Sequence, residues 1–291
     1  MSGGFMQPKH YLRLARFPEA LFLPSFAVTT SYLVAAKGIF AIDMWIPILA
    51  GTLGTAGMCA LNDYFDFQAD KIGAQNRPLP SGKISLPDGL SFAIILTTSG
   101  MAIAGLSHRS LLPVIGAAAV ILGLLYNWKT KGKGVWGTIT FGLIMVTVVL
   151  LGMVQANING FDQNHLYFLL FIFNTAAANQ STANFYDFKS DRAFGYRTLA
   201  NIYGLKKSAG IVTVIRYSAF GFLVLFLFST GNEIGLSTLF FLAILSGLPA
   251  IAYYFMTKAD NRHLAKRAFK LGVIWTLFSF CTILLTIYTK S

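Results

Sequence analysis

Acidic residues are scarce in this chain, 11 among 291. Charged residues of both signs reach only 12%, where a soluble domain carries about 25%. With 55% apolar residues and a mean hydropathy of +0.61, that shortage excludes a disordered chain and an ordinary soluble fold. Cysteine is nearly absent as well. Cys59 and Cys281 both lie inside apolar runs, so there is no disulfide framework and no thiolate metal site to read. The four histidines, His10, His108, His165 and His263, are dispersed along the chain and mark no imidazole centre. What the composition leaves is a polytopic membrane protein.

Nine apolar runs are long enough to cross a bilayer core, which takes about 20 helical residues. They lie at 18–36, 45–62, 88–106, 110–126, 135–154, 164–185, 208–229, 234–257 and 268–288. The expected fold is all-α, one transmembrane domain over residues 1–291, with nine membrane-spanning helices. The first run follows Lys9, Arg13 and Arg16, as a signal peptide would. Its length and the lack of a small-residue cleavage site predict an uncleaved first helix instead.

The formal charge is +12, and its distribution explains it. With nine spans, 20 of the 23 lysines and arginines fall on one side, counting Arg216 just inside the seventh span. Only Lys37, Arg109 and Lys290 fall on the other. The positive-inside rule then puts the N-terminus in the cytoplasm and the C-terminus outside. No nucleic-acid partner is needed to account for the charge. The expected location is the cell membrane, plasma or inner.

Because acids are rare, their placement is informative. Five of the eleven occupy two short stretches, Asp63, Asp66 and Asp70 after the second span and Asp187 and Asp191 after the sixth. In Asn62-Asp63-Tyr64-Phe65-Asp66-Phe67-Gln68-Ala69-Asp70 the carboxylates are three and four apart, so a continuing helix puts them on one face. Asn184, Asp187 and Asp191 repeat that spacing. Like charges so placed repel, and the macrodipole at a helix C-terminus disfavours anions. Something cationic must offset both effects. Neighbours such as Lys71 and Arg192 would suffice for a solvated polar cap. A divalent cation is the sharper reading, because carboxylate and amide oxygens without His or Cys suit Mg²⁺.

The two stretches are themselves related. Asp63 to Asn184, Asp66 to Asp187 and Asp70 to Asp191 share one offset of 121 residues. The same shift carries the third span onto the seventh and the fourth roughly onto the eighth. A duplicated four-helix unit with one added helix follows, and both acid clusters then face the cytoplasm.

Basic residues surround the acids. The first cluster leads into Arg77-Pro78-Leu79-Pro80-Ser81-Gly82-Lys83, whose prolines and glycine predict a fixed, turning loop. The second leads into Arg192-Ala193-Phe194-Gly195-Tyr196-Arg197-Thr198-Leu199. Between them lies Tyr126-Asn127-Trp128-Lys129-Thr130-Lys131-Gly132-Lys133. Arg and Lys beside cation-binding carboxylates are what a diphosphate needs. The plainer alternative for the last segment is a basic loop against anionic membrane lipid.

These residues resemble the UbiA superfamily of intramembrane prenyltransferases. The first signature there is N-D-x-x-D-x-x-x-D, matched by Asn62, Asp63, Asp66 and Asp70, followed by R-P-x-x-S-G, matched by Arg77, Pro78, Ser81 and Gly82. The second is D-x-x-x-D with a later Gly and a basic-Thr-Leu segment, matched by Asp187, Asp191, Gly195, Arg197, Thr198 and Leu199. The resemblance spans nearly the whole chain and departs at Asn184, where the first half has Asp63.

The resemblance implies Mg²⁺-dependent transfer of a prenyl group from a polyprenyl diphosphate to a membrane-associated acceptor. Two Mg²⁺ would be held by the catalytic carboxylates Asp66, Asp70, Asp187 and Asp191, with Asn62, Asp63 and Asn184 assisting. Arg77, Lys129, Lys131, Arg192 and Arg197 would contact diphosphate, and Tyr126 the acceptor or an allylic cation. An aromatic quinone precursor is the expected acceptor. The alternative is a glycerol-phosphate lipid or a chlorophyllide, which the R-P-L-P-S-G loop also resembles. A further alternative is a transporter with an acidic cation site, though its acids would sit nearer the bilayer midplane. A phosphotransferase joining a nucleotide-activated headgroup to a lipid alcohol would need D-G-x-x-A-R and further acids, which Asp88-Gly89 lacks.

Overall fold

The computed structural model describes residues 7–36, 39, 41–156, 160–230, 235–259 and 262–288; Lys37 and Lys290 lie outside them. The described residues are helical throughout, apart from turns and one isolated bridge between Lys133 and Arg197. In chain order the helices are α1 (Pro8–Leu14), α2 (Glu19–Ala35), α3 (Trp45–Phe65), α4 (Phe67–Gly73), α5 (Leu86–Gly105) and α6 (Leu111–Leu125). A π-helical turn, Tyr126–Thr130, extends α6. Then follow α7 (Val135–Gln155), α8 (Gln163–Tyr186), α9 (Phe188–Phe194), α10 (Leu199–Ser229), α11 (Leu236–Ala259) and α12 (Arg262–Tyr288).

Among the described residues, six segments are long and apolar enough to cross a membrane: Ile42–Phe65, Leu86–Gly105, Leu111–Thr130, Val135–Gln155, Leu199–Ser229 and His263–Tyr288. Helices α2 and α11 carry shorter apolar runs, Leu21–Ala35 and Ser237–Pro249. Helix α8 overlaps the sixth expected span but carries Asn174, Asn179, Gln180, Ser181, Thr182 and Asn184. Its polarity has a structural reason given below.

Two expectations need correction. The seventh run continues backwards to Leu199, with a kink at Gly204, whose φ of 74° is open to glycine and strained for other residues. Arg216 therefore sits well inside α10, 1% exposed, and not at a membrane-flanking helix end. The acid stretches also do not continue as unbroken helices. Helix α3 stops at Phe65 and a new helix starts at Phe67; α8 stops at Tyr186 and a new one starts at Phe188. The breaks fall at Asp66 and Asp187, and α4 maps onto α9 by the same 121-residue shift. Backbone bonds Asp70 N to Asp66 O and Asp191 N to Asp187 O, each 2.8 Å, bridge the breaks. The shared face thus survives the interruption.

Packing follows the duplication. Helix α3 packs on α5 as α8 packs on α10, and α6 packs on α7 as α11 packs on α12. Helix α2, the added one, lies against α3, α7 and α12. Membrane helices gain close packing from small residues at their contacts. Gly152 of α7 is the tightest example: a Cβ there would come 2.2 Å from Ser31 Oγ and 2.4 Å from the Val28 carbonyl oxygen of α2. At the bundle end remote from the acid clusters, Asp43 accepts from Tyr32 Oη (2.9 Å) and Gln155 Nε2 (2.9 Å), and Ser107 Oγ donates to Gln155 Oε1 (2.6 Å). These bonds tie the start of α3 to α2, α7 and the α5–α6 turn.

Because the Gly152 contact is with backbone, Gly152→Val must drive α2 from α7. A loss of about 1–3 kcal/mol is expected from such overpacking, read as a lower melting temperature in detergent. Gly221→Ala, in α10 with open space around its Cβ position, is expected to be neutral or to stabilise by up to about 1 kcal/mol.

Candidate active site

The carboxylates of the first stretch are buried at 2%, 6% and 8% exposure for Asp63, Asp66 and Asp70. Each is held by a cation from another segment. Arg77 Nη1 donates to Asp70 Oδ2 (2.6 Å) and Asp63 Oδ1 (3.2 Å). Arg16 Nη2 donates to Asp63 Oδ1 (2.9 Å) and Asn62 Oδ1 (3.0 Å). Lys131 Nζ donates to Asp66 Oδ2. Asn62 Nδ2 donates in turn to Asn127 Oδ1 (2.7 Å).

The local folding that delivers these cations differs in each case. The Arg77 loop is pinned because Leu79 and Ile84 are buried against Leu14 and Leu61, while Lys83 N and Ile84 N bond the Pro78 carbonyl. Ser85 caps α5 by accepting from Asp88 N (3.2 Å). Arg16 lies in the α1–α2 turn with φ at 53°, unusual for a non-glycine residue and common at functional sites. Lys131 owes its place to the π-helical turn, closed by Lys131 N to Tyr126 O at 2.9 Å. A π turn aligns positions five apart instead of four. It therefore sets Tyr126 and Lys131 together and turns Lys129 outward, where it is exposed over the Trp128 ring.

The second stretch approaches the first directly. Helices α4 and α9 touch, and a Cβ on Gly73 would lie 2.6 Å from Ser190 Cβ. Asp187 and Asp191 are half-buried on the same cavity wall as Asn184. Burial, reinforced by Asp187, pushes the Asp191 carboxyl up to about 7, with Lys131 opposing. Burial also pushes Asp70 up to about 6 against the pull of Arg77. The Tyr196 phenol is raised by burial and by the Asp66 and Asp191 charges.

Asn62, Asp66, Asp70, Asn184, Asp187, Asp191 and Tyr196 border one cavity of about 390 Å³ with Arg16, Arg77 and Lys131, and Asp63 joins it through Arg16 and Arg77. Its wall runs along α3 from Asp66 to Ala50, about 24 Å at the helical rise. Beyond the acids the wall is mainly apolar, with Met58, Met101, Phe141, Val149 and Ile172 among its residues. It ends at Ala50, Ala104 and Leu151, one to two turns from the Asp43–Gln155 bonds. Helix α8 lines this cavity from Asp187 to Ile172, which explains its polar sequence.

Of the expected site residues, the structure brings together Asn62, Asp63, Asp66, Asp70, Arg77, Tyr126, Lys131, Asn184, Asp187 and Asp191. It does not bring Lys129, Arg192 or Arg197, which are exposed and off the cavity wall. Arg197 contributes backbone instead: its N–H donates to Gly132 O (3.0 Å) and its carbonyl accepts from Gly134 N (2.6 Å), joining the two loops. Cavity residues that escaped the sequence reading include Arg16, Asn127, Asn179, Gln180 and Tyr196. Their one signal was polarity or charge next to a motif or within an apolar run.

Among the described residues, no three carboxylate, His or Cys side chains stand ready as a metal site, since Arg and Lys occupy the first cluster. The donor set nonetheless fits a hard divalent cation. It is all oxygen, Asp66 Oδ1 is buried with no hydrogen-bond partner, and the Asp191 carboxyl of the second cluster is raised by its burial and by Asp187.

The UbiA prenyltransferase family matches residues 22–285. The chain belongs to that family. It is accordingly a prenyltransferase and an integral membrane protein, which removes the transporter alternative. It is 30% identical over 224 residues to the digeranylgeranylglyceryl phosphate synthase of Pyrococcus furiosus, covering 75% of this chain and 76% of that one. The synthase of Methanococcoides burtonii is 30% identical over 229 residues, 76% and 77% of the two chains. Among solved structures, a UbiA homologue from Archaeoglobus fulgidus bound to GPP and Mg²⁺ superposes at TM-score 0.67, with 15% identity over 94% of this chain and 99% of that one. An apo homologue from Aeropyrum pernix K1 reaches 0.71, with 16% identity over 92% and 97%.

The raised carboxyls of this UbiA-family site set a pH dependence. A folded-state value above the ordinary 3.8 means that the native state holds protons the unfolded chain has released. Stability from this source is complete below about pH 4 and is lost as pH rises through 6 to 7. In chelator, the melting temperature is expected to fall across that window, and Asp191→Asn to flatten its upper part. An unchanged slope in the variant would remove Asp191 as the cause.

Proposed function

We propose that the protein transfers a prenyl group from a polyprenyl diphosphate to the free hydroxyl of a glycerol-phosphate lipid, releasing diphosphate. The observation that carries this reading is the meeting of both acid stretches with Arg16, Arg77 and Lys131 at one end of a long apolar cavity. A diphosphate needs the charged end, and a prenyl tail needs the apolar remainder. The digeranylgeranylglyceryl phosphate synthases to which the chain is similar favour the glycerol-phosphate acceptor. The aromatic quinone precursor expected from sequence is set aside in its favour, as is a chlorophyllide.

Mg²⁺ is the proposed cofactor, supported by the oxygen donor set and by the Archaeoglobus fulgidus homologue. Asp66, Asp70, Asp187 and Asp191 would hold it, two ions for two motifs, with Asn62, Asp63 and Asn184 assisting. When bound it would act as a Lewis acid on the diphosphate oxygens. The chain's own residues do the rest. Arg77, Lys131 and Arg16 exchange their carboxylate partners for diphosphate oxygens and favour the leaving group. The apolar wall keeps water from the allylic carbon as its bond to diphosphate breaks. The acceptor hydroxyl forms the new carbon–oxygen bond, and its proton leaves with the released diphosphate.

In the membrane we place nine spans, adding α2, α8 and α11 to the six most apolar segments. The N-terminus and the acid clusters lie on the cytoplasmic side of the cell membrane, as the basic residues favour.

Membranes containing the protein, given geranylgeranyl diphosphate and geranylgeranylglyceryl phosphate, are expected to make digeranylgeranylglyceryl phosphate, detected by mass spectrometry. Product requires Mg²⁺, and Asp66→Ala and Asp187→Ala each lower the rate by about 100-fold or more. Preferential prenylation of 1,4-dihydroxy-2-naphthoate offered in the same pool would sink the lipid acceptor and leave the donor site standing. Wild-type rates in both variants would sink the two-motif site.

A further inference from the structure

Away from the acid clusters the cavity wall is apolar apart from threonines and one pair of adjacent carboxamides. On α8, Asn179 and Gln180 lie two turns below Asp187, about 12 Å by the helical rise. The 121-residue shift maps them onto Met58 and Cys59 of α3, which line the opposite half without comparable polarity. Gln180 Nε2 donates to Tyr126 Oη (2.5 Å), and Asn179 Nδ2 to Thr276 Oγ1 (3.3 Å). All four residues border the cavity.

Behind this band sits Arg216 of α10. It is 1% exposed, pairs with no carboxylate among the described residues, and lies inside a membrane-spanning helix. Its Nη2 donates to Asn179 Oδ1 (2.8 Å), its guanidinium lies 5.6 Å from the Trp275 ring centre, and its Nε and Nη1 have no hydrogen-bond partner. A charge so placed is expensive to keep. The helix opposite is shaped around it: Gly272 of α12 leaves room that a Cβ would fill, 2.6 Å from Asn179 Oδ1 and 2.7 Å from Arg216 Nη2. Glycine inside a helix is itself unfavourable, so the space has a use.

We propose that Arg216 is a positioning residue for the acceptor. By holding Asn179 Oδ1 it fixes the carboxamide with its NH₂ group toward Thr276 and the cavity. The charge also polarises that amide, making its N–H groups better donors. The Asn179–Gln180–Tyr126 band then supplies both donors and acceptors to a hydroxyl-bearing polar head, while the apolar α3 wall takes the donor's tail. This rests on the prenyl-transfer reading above, and makes α8 the acceptor side of the cavity.

The test varies geranylgeranyl diphosphate and geranylgeranylglyceryl phosphate separately, in initial-rate measurements on wild type, Arg216→Met, Arg216→Gln, Asn179→Leu and the Arg216→Met/Asn179→Leu double variant. Arg216→Met and Asn179→Leu are expected to raise the acceptor KM about tenfold, the scale of one hydrogen bond, with the donor KM within about twofold of wild type. The double variant should be no worse than Asn179→Leu alone, because Arg216 acts through Asn179. Arg216→Gln, which keeps a donor, should recover most of the loss. Donor and acceptor KM rising together, additive losses, or unchanged kinetics in a folded variant each overturn the proposal. If Arg216→Met fails to fold, Gly272→Ala keeps both side chains and displaces them, and the same acceptor-only shift is required of it. Should wild type prenylate only 1,4-dihydroxy-2-naphthoate, the lipid assignment fails, and the acceptor-only shift on the naphthoate decides the role of Arg216 separately.

Discussion

Buried carboxylates packed against one another are the constraint around which this structure is arranged. In a medium of low effective dielectric, Asp63, Asp66 and Asp70 repel strongly and lose hydration. Cations from three separate segments offset that cost. Arg16 comes from the turn before the first long helix, Arg77 from a proline-pinned loop, and Lys131 from a π-helical turn. None of these segments is regular α-helix, and each departs from regularity where it delivers its charge. In the second cluster burial and Asp187 raise the Asp191 carboxyl, with Lys131 opposing. The site is nonetheless asymmetric. The first motif shares three cations among three carboxylates, and the second carries Asn184 where the first has Asp63.

That asymmetry is built on a symmetric frame. Helix ends, breaks and short following helices repeat at one offset, so Asp66 and Asp70 reach the cavity from one half as Asp187 and Asp191 do from the other. Among the differences are Met58 against Asn179 and Cys59 against Gln180 on the cavity wall, and Asp63 against Asn184 beside the charged end. A duplicated bundle with two equivalent walls would hold two identical ligands. A transferase must hold two different ones, and these substitutions make the two walls unlike.

Much of this was legible in the sequence because the signals were periodic. The spacing of the acids, their common offset and the turn chemistry of Arg77-Pro78-Leu79-Pro80 each involve residues close in sequence, and each survives in the structure. What sequence spacing misled was register. An α-helical reading gives Lys129 and Lys131 equal claims; the π turn selects Lys131 and turns Lys129 away. Arg16 reaches Asp63 across 47 residues, a relation no local pattern carries. Arg192 and Arg197 sit beside the second motif in sequence, but both are exposed and off the cavity wall, whereas Asp191 and Tyr196 next to them line it. Arg216 was misplaced because a helix start was set at the apolar run, whereas the helix begins earlier, at Leu199.

The shape of the cavity bears on which acceptor it can serve. Its far end is lined by Ala50, Ala104 and Leu151, with the Asp43, Gln155 and Tyr32 bonds beyond them. Its near end is ringed by charge. A small aromatic acid would meet that charged end as a second anion without any tail to anchor it, and would depend wholly on specific contacts. A glycerol-phosphate lipid divides itself as the donor does: the phosphate stays among the cations and the hydrocarbon enters the apolar wall. Two substrates of that kind would be aligned by one polarity gradient, which would bring the hydroxyl next to the allylic carbon at the level where charge gives way to carbon. The gradient would orient both molecules before any residue-specific contact is made. The polar band on α8 would then have only to fix which oxygen faces the carbon, a task within the reach of a few hydrogen bonds.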